Sequence, residues 1–229
     1  LNPNVLHQLR AHAKKHQATI NDIILSELYL TLNAWNLKHT GTGRNIRIGI
    51  ATDLRLDEHI DQMPAANILG LIFLDRSKRI LRDPARLLRS IVRETRYIKR
   101  HRLGYTLVRA LDLIGRVYGG MSLFMRESKC YTTAILSNLG PVFDKTLLPS
   151  RGGALTFGGV TLRSVALLPP VRAHTHLSVG VTTLQGQLRI TLHYDSRSLA
   201  NSQAKTLAAD YGARIAALAQ EMPRTRQAA

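Results

Sequence analysis

Apolar and polar positions along this chain follow two different periods. Asn2-Pro3 supplies an N-cap and a proline at the first helical position, which predicts a helix running to about His16. Thr19 opens a second helix, and Asp22 three positions on resembles a capping box with Asp in place of Glu. Ile23, Ile24, Leu28, Leu30, Leu32 and Trp35 predict that this helix is largely buried and ends near His39, before Gly41 and Gly43. "NIRIGIATD", Asn45 to Asp53, alternates as a strand, and Ile68 to Asp75 predicts a second, more fully buried one.

Asp83-Pro84 starts a long helix to about His101. Gly104 interrupts it, and Tyr105 to Tyr118 predicts another helix before Gly119-Gly120. Beyond that the period shortens to that of strands: Tyr131 to Ser137, Leu155 to Phe157, Val160 to Leu168, His176 to Leu184 and Gln187 to Tyr194. "LQGQ" at 184–187 is a hairpin turn between the last two. Ser202 to Ala219 closes the chain as a helix, followed by a frayed tail. The sum is a mixed α/β fold (α+β layered), with a largely antiparallel sheet covered by helices.

Composition adds bounds. Apolar residues make up 45% of 229, enough for a sizeable core. The run Ile68 to Leu74 is far too short to span a bilayer, and no signal-peptide layout is present. Leu1 rather than Met begins the chain, which leaves room for a preceding segment. The single Cys130 excludes an internal disulfide framework and fits a cytoplasmic setting, where it is expected to be plain core.

A formal charge of +17 favours anionic partners such as nucleic acid, acidic proteins, phosphorylated cofactors or a membrane surface. Much of it is patterned. Arg82, Arg86, Arg89, Arg93, Arg96 and Arg100 recur at steps of three and four, which places them on one stripe of the long helix. Glu94, the only acid from Ala85 to Arg100, projects elsewhere. The stripe is either a solvated face or an anion-binding one. Nucleic acid ranks low, because aromatic residues are only 5% of the chain and supply no stacking pattern.

Catalytic chemistry is less legible. His174 and His176 share a strand face, but no Cys pair, HExxH or third ligand accompanies them, so no metal site is expected. His12 and His16 share a helix face beside Lys14 and Lys15. His193-Tyr194-Asp195 has the residue types for proton transfer, yet consecutive strand positions cannot all point together. "AILSNLGPVF", Ala134 to Phe143, places Ser137 and Asn138 at a strand's end, where short hydrogen-bonding side chains meet a cleft.

The order of landmarks carries a resemblance. "ATINDIILSEL" (Ala18 to Leu28), "IATDLR" (Ile50 to Arg55), "ANILGLIFL" (Ala66 to Leu74) and "LSNLGPV" (Leu136 to Val142) follow one another. "LTFGGVTL" (Leu155 to Leu162) and "GVTTLQGQLRITLHYD" (Gly180 to Asp195) complete the series. Together they resemble the C-terminal half of the condensation-domain and acyltransferase superfamily. That group includes peptide-synthetase condensation domains, wax-ester and diacylglycerol acyltransferases, and chloramphenicol acetyltransferase-like enzymes.

The resemblance implies a chloramphenicol acetyltransferase-like lobe over residues 1–222, with 223–229 a flexible tail. It implies a tunnel shared with an N-terminal lobe that carries an HHxxxDG motif. No histidine here is followed by xxxDG, so the catalytic lobe is expected to be a missing partner and this chain alone inactive. The implied donor is a thioester on coenzyme A or on the phosphopantetheine arm of an acyl carrier protein; no tightly bound cofactor is expected. Ser137 or Asn138 would face the tunnel as oxyanion donors. Asn21-Asp22 matches the family's "ND" pair or is simply a helix cap, and Arg55 holds a loop carboxylate or substrate. A lobe without its partner would expose apolar surface and self-associate. The competing reading is a non-catalytic module of this fold that docks an acidic carrier or another anionic partner.

Overall fold

A central five-stranded sheet carries the fold in the computed structural model, which describes residues 3–55, 68–126, 131–143, 150–151, 154–171 and 175–220. The helices are α1 (Pro3–Lys15), α2 (Ile20–Thr40), α3 (Pro84–Arg100), α4 (Thr106–Gly115), α5 (Gly120–Arg126) and α6 (Asn201–Gln220). The sheet runs in the order β2 (Leu69–Arg76), β1 (Ile46–Asp53), β3 (Ala134–Pro141), β7 (Leu177–Leu184) and β8 (Gln187–Tyr194). A small second sheet holds β4 (Ser150–Arg151), β5 (Ala154–Phe157) and β6 (Val160–Thr161). Among the described residues, four of the six strand pairings are antiparallel. The two parallel ones, β1 with β3 and β3 with β7, lie at the centre of the main sheet.

α2 forms the middle of the core. Thr19 caps it, with Asp22 N–H donating to Thr19 Oγ1 at 3.2 Å and Thr19 N–H donating to Asp22 Oδ2 at 2.8 Å. Every residue from Asp22 to Thr31 is buried, because α2 meets the sheet on one side and α3 and α6 on others. Ile46, Ile48 and Ile50 of β1, Ala134 and Leu136 of β3, and Val179 and Val181 of β7 supply the sheet's half of this core.

Two phenols are tied into the same core. Tyr29 Oη donates to the Leu74 carbonyl at 2.6 Å and Tyr211 Oη to that of Ile24 at 2.8 Å. Burial pushes both hydroxyls above their ordinary value; for Tyr211, Glu27 adds to the push. The fold therefore holds the neutral phenols, whereas an unfolded chain ionises them above about pH 10. Their contribution is fully present below that pH and is lost as pH rises past it, by up to about 1.4 kcal/mol per unit for each tyrosine. Denaturant titrations across this range are expected to show the decline. Tyr211→Phe should flatten it.

Against the opposite face of β7 and β8 lies an irregular strap, residues 163–171. Thr182 Oγ1 donates to the Val165 carbonyl at 3.1 Å and Ser178 Oγ to that of Pro170 at 3.0 Å. His193 Nδ1 donates to Pro169 O at 2.8 Å, and Thr191 Oγ1 to Leu167 O. The expected strand Val160 to Leu168 is thus corrected. Only Val160–Thr161 pairs as strand, and the rest satisfies its carbonyls with side-chain donors, which need no ladder register. The expected helix Tyr105 to Tyr118 is shortened to Thr106–Gly115, and α5 follows in a stretch to which no element was assigned.

Candidate functional site

Because β1 and β3 are parallel, their carboxyl ends emerge on the same side of the sheet. A crevice beyond such ends is where open α/β sheets bind ligands. Here it is a cleft of about 650 Å³. Asn138 and Gly140 of β3, Asp53 at the end of β1 and Arg55 just beyond it, and Asn21 and Asp22 at the start of α2 all line it. Ile50, Ile72 and Ile98 give it apolar walls, while Lys99, Arg102 and Tyr105 come from the end of α3 and the turn that follows.

Asn138 joins distant segments. Its Nδ2 donates to Asn21 Oδ1 at 3.3 Å, and Gly140 N–H donates to its Oδ1 at 2.8 Å. The second bond fixes the amide's orientation, and Gly140 reaches it through a positive φ of 64°, a conformation cheap only for glycine. Ser137 sits next to Asn138 on the half-buried end of β3 but does not line the cleft.

Asp22 is 3% exposed and its carboxylate is satisfied by protein donors. Thr19 N–H and Oγ1 both donate to Oδ2 at 2.8 Å, and Thr95 Oγ1 of α3 donates to Oδ1 at 2.8 Å. It is the helix cap, and it also ties α2 to α3 at the cleft's edge. Arg55 pairs with Asp53, the last residue of β1: its backbone N–H and Nη1 reach that carboxylate at 3.0 and 3.2 Å. Glycine packing closes the cleft from below. A Cβ on Gly104 would come within 2.8 Å of Leu54 Cδ2, and Tyr105 Oη donates to Leu54 O. Thr95, Lys99, Arg102 and Tyr105 were not read from the sequence as site residues. The one local signal was the helix interruption at Gly104.

The arginine stripe needs one correction. Arg82 lies in the 3-10 turn Ile80–Arg82, before the Asp83 cap of α3, and not on the helix itself. Asp83 accepts from Arg86 N–H at 3.0 Å, which sets the helix start at Pro84, two residues beyond Arg82. Arg89, Arg93, Arg96 and Arg100 line a second groove, on the other side of α3 from the cleft, together with His12 and His16. Arg86 lines neither.

The remaining chemistry disperses. His193 is spent on Pro169, while Asp195 is held down at about 2 by hydrogen bonds from Arg197. His176 Nδ1 meets Ser198 Oγ at 2.7 Å on an exposed surface. His174 and Cys130 lie outside the described residues. Among the described residues no cluster of three metal-ligating side chains occurs, and no helix is long and apolar enough to cross a membrane.

No protein-family model and no curated protein sequence matches the chain. Solved structures do. The epimerization domain from the third module of tyrocidine synthetase B is similar at a TM-score of 0.60 and 17% identity, covering 96% of this chain and 46% of that one. The first condensation domain of the CDA synthetase gives 0.59 and 15%, with 96% and 44% covered. The wax ester synthase/diacylglycerol acyltransferase from Marinobacter aquaeolei VT8 gives 0.56 and 16%, with 93% and 46% covered. The chain thus has a condensation- and acyltransferase-type fold, and it spans about half the length of these structures.

Proposed function

We propose that this chain is one lobe of an acyl-transfer or condensation-type protein, and that the cleft between α2, β1 and β3 is its share of a substrate tunnel. The observation that carries this reading is the hydrogen bond between Asn138 and Asn21, 117 residues apart. It joins, at the parallel strand ends, two segments that the resemblance had marked separately.

In this reading an acceptor alcohol or amine attacks a thioester borne by coenzyme A or by a carrier protein's phosphopantetheine; the oxyanion then collapses, the C–S bond breaks, and the carrier leaves as its free thiol, taking up the proton that the acceptor lost. The base that takes the acceptor's proton belongs to an HHxxxDG lobe. This chain's part is to position and to stabilise charge. The Asn138 amide nitrogen carries two N–H donors; one engages Asn21, and the other is assigned to the oxyanion that develops on the thioester carbonyl. Ser137, which lies outside the cleft, has no part in this assignment. Lys99 and Arg102 at the rim suit an anionic donor.

The test is thioester transfer by a polypeptide that joins this chain to an HHxxxDG lobe, beside the chain alone. Transfer is expected only from the joined protein. In it, Asn138→Ala should lower kcat about tenfold, the worth of one hydrogen bond, with KM for the donor little changed. Equal kcat in the variant would remove Asn138 from the reaction. A joined protein without transfer would leave the lobe as a docking module.

A further inference from the structure

The groove across α3 from the cleft has a different character. It holds about 760 Å³. Its floor is apolar, made by Ile23, Leu88, Val92 and Leu218. Arg89, Arg93, Arg96 and Arg100 stand along one wall, and Lys15 on the wall opposite. Among the described residues one acid, Glu27, reaches the groove, and Arg214 pairs with it at 3.5 Å. Arg96 spends a single donor on the Gln17 carbonyl at 3.1 Å. The side chains of Arg89, Arg93 and Arg100 make no hydrogen bond or ion pair with any described residue.

Exposed arginines are common, but these four are graded along a channel. They follow one another at about 5 Å, one helical turn. The groove's α3 residues run from Pro84 to His101, about 25 Å at the helical rise. Carboxylates three and four apart on another helix recur at the same interval. The apolar floor between the two basic walls matches an apolar stripe flanked by acids.

We infer that this groove docks an acidic amphipathic helix of a partner protein. Other occupants fit less well. A membrane surface meets apolar side chains that protrude past the cations, and here the apolar floor is recessed beneath them. Single-stranded nucleic acid needs a series of stacking platforms, whereas the groove's rings are taken up in two tilted pairs, Tyr97 with His101 at 4.2 Å and His12 with His16 at 4.6 Å. The chain's own residues 221–229 bring two arginines and one glutamate, and a second copy carries the same +17 charge. Neither supplies the complement. The inference stands on this groove and is independent of the acyl-transfer reading, whose cleft lies on the other side of α3.

The experiment is fluorescence anisotropy with a labelled four-turn peptide that carries a leucine stripe flanked by glutamates. Three competing probes are a scrambled peptide of equal composition, an oligothymidine and vesicles of anionic lipid. The striped peptide is expected to bind at least about tenfold more tightly than the scrambled one, with affinity falling as salt rises. Arg93→Glu with Arg96→Glu should cost a further factor of ten or more. Arg86→Glu, off the groove, and Asn138→Ala, in the cleft, should leave binding unchanged. Circular dichroism on each variant confirms the fold. Equal binding of striped and scrambled peptides would overturn the inference, as would a preference for oligothymidine or vesicles. So would indifference to the double charge reversal in a folded protein.

Discussion

Glu94→Ala is expected to destabilise the fold by about 3 kcal/mol, the low end for breaking a buried ion pair. Arg76 ends β2 with only 4% of its side chain exposed, and its Nη1 lies 2.7 Å from Glu94 Oε2. The same nitrogen donates to the Asp75 carbonyl at 2.7 Å. Arg76 Nε and Nη2 find no partner among the described residues, so Glu94 provides the countercharge in contact. Removing it strands a guanidinium that cannot deprotonate. The low end applies because Glu94 itself keeps 40% exposure, and water can enter where it stood. Replacing both partners, Arg76→Met with Glu94→Leu, should recover most of the loss, since the penalty belongs to the orphaned charge and not to the missing bond. Denaturant midpoints of the three proteins decide this. A loss under about 0.5 kcal/mol for Glu94→Ala would place it with ordinary surface substitutions.

The Arg76–Glu94 pair also marks where the sequence stops informing. Local signals were legible wherever neighbours within one turn or one hairpin decide the structure. The Thr19–Asp22 cap, the Asp83-Pro84 helix start and the strand Gln187–Tyr194 all belong to that class. Gly119-Gly120 misled, because a glycine pair that ends one helix can also begin the next: Gly119 takes φ 73° and Gly120 opens α5. Pairing between distant strands has no local signature. Leu177 to Leu184 interleaves apolar residues with Ser178, Gly180 and Thr182, yet all eight residues are buried. Ser178 and Thr182 look solvent-facing until the strap's carbonyls are placed on them. The cleft was legible in pieces, as Asn21-Asp22, Arg55 and Asn138. Their meeting depends on the parallel pairing of β1 with β3, which no single segment encodes.

Gly180→Ala is expected to cost about 3 kcal/mol or more, at the upper end for overpacking. The added methyl would overlap the Leu167 carbonyl oxygen and lie 2.7 Å from Thr191 Oγ1 and 2.9 Å from Pro169 Cδ. These atoms cannot step aside singly, because Thr191 and His193 hold the strap at Leu167 and Pro169. Either the strap lifts from β7 or β7 shifts in the sheet. The two outcomes separate by hydrogen exchange. A lifted strap speeds exchange in 163–171 and leaves β3 protected. A shifted β7 reaches the cleft, because Gly180 pairs with Ser137 and Val181 with Asn138. The strap is the softer element, held by four side-chain bonds and no ladder, so exchange is expected to rise there first. Gly212→Ala provides the opposite case within the same protein. No atom lies within 4 Å of the methyl it would add to α6, so it should stabilise the helix by up to about 1 kcal/mol. If Gly180→Ala proves neutral, the strap does not rest on β7 as described.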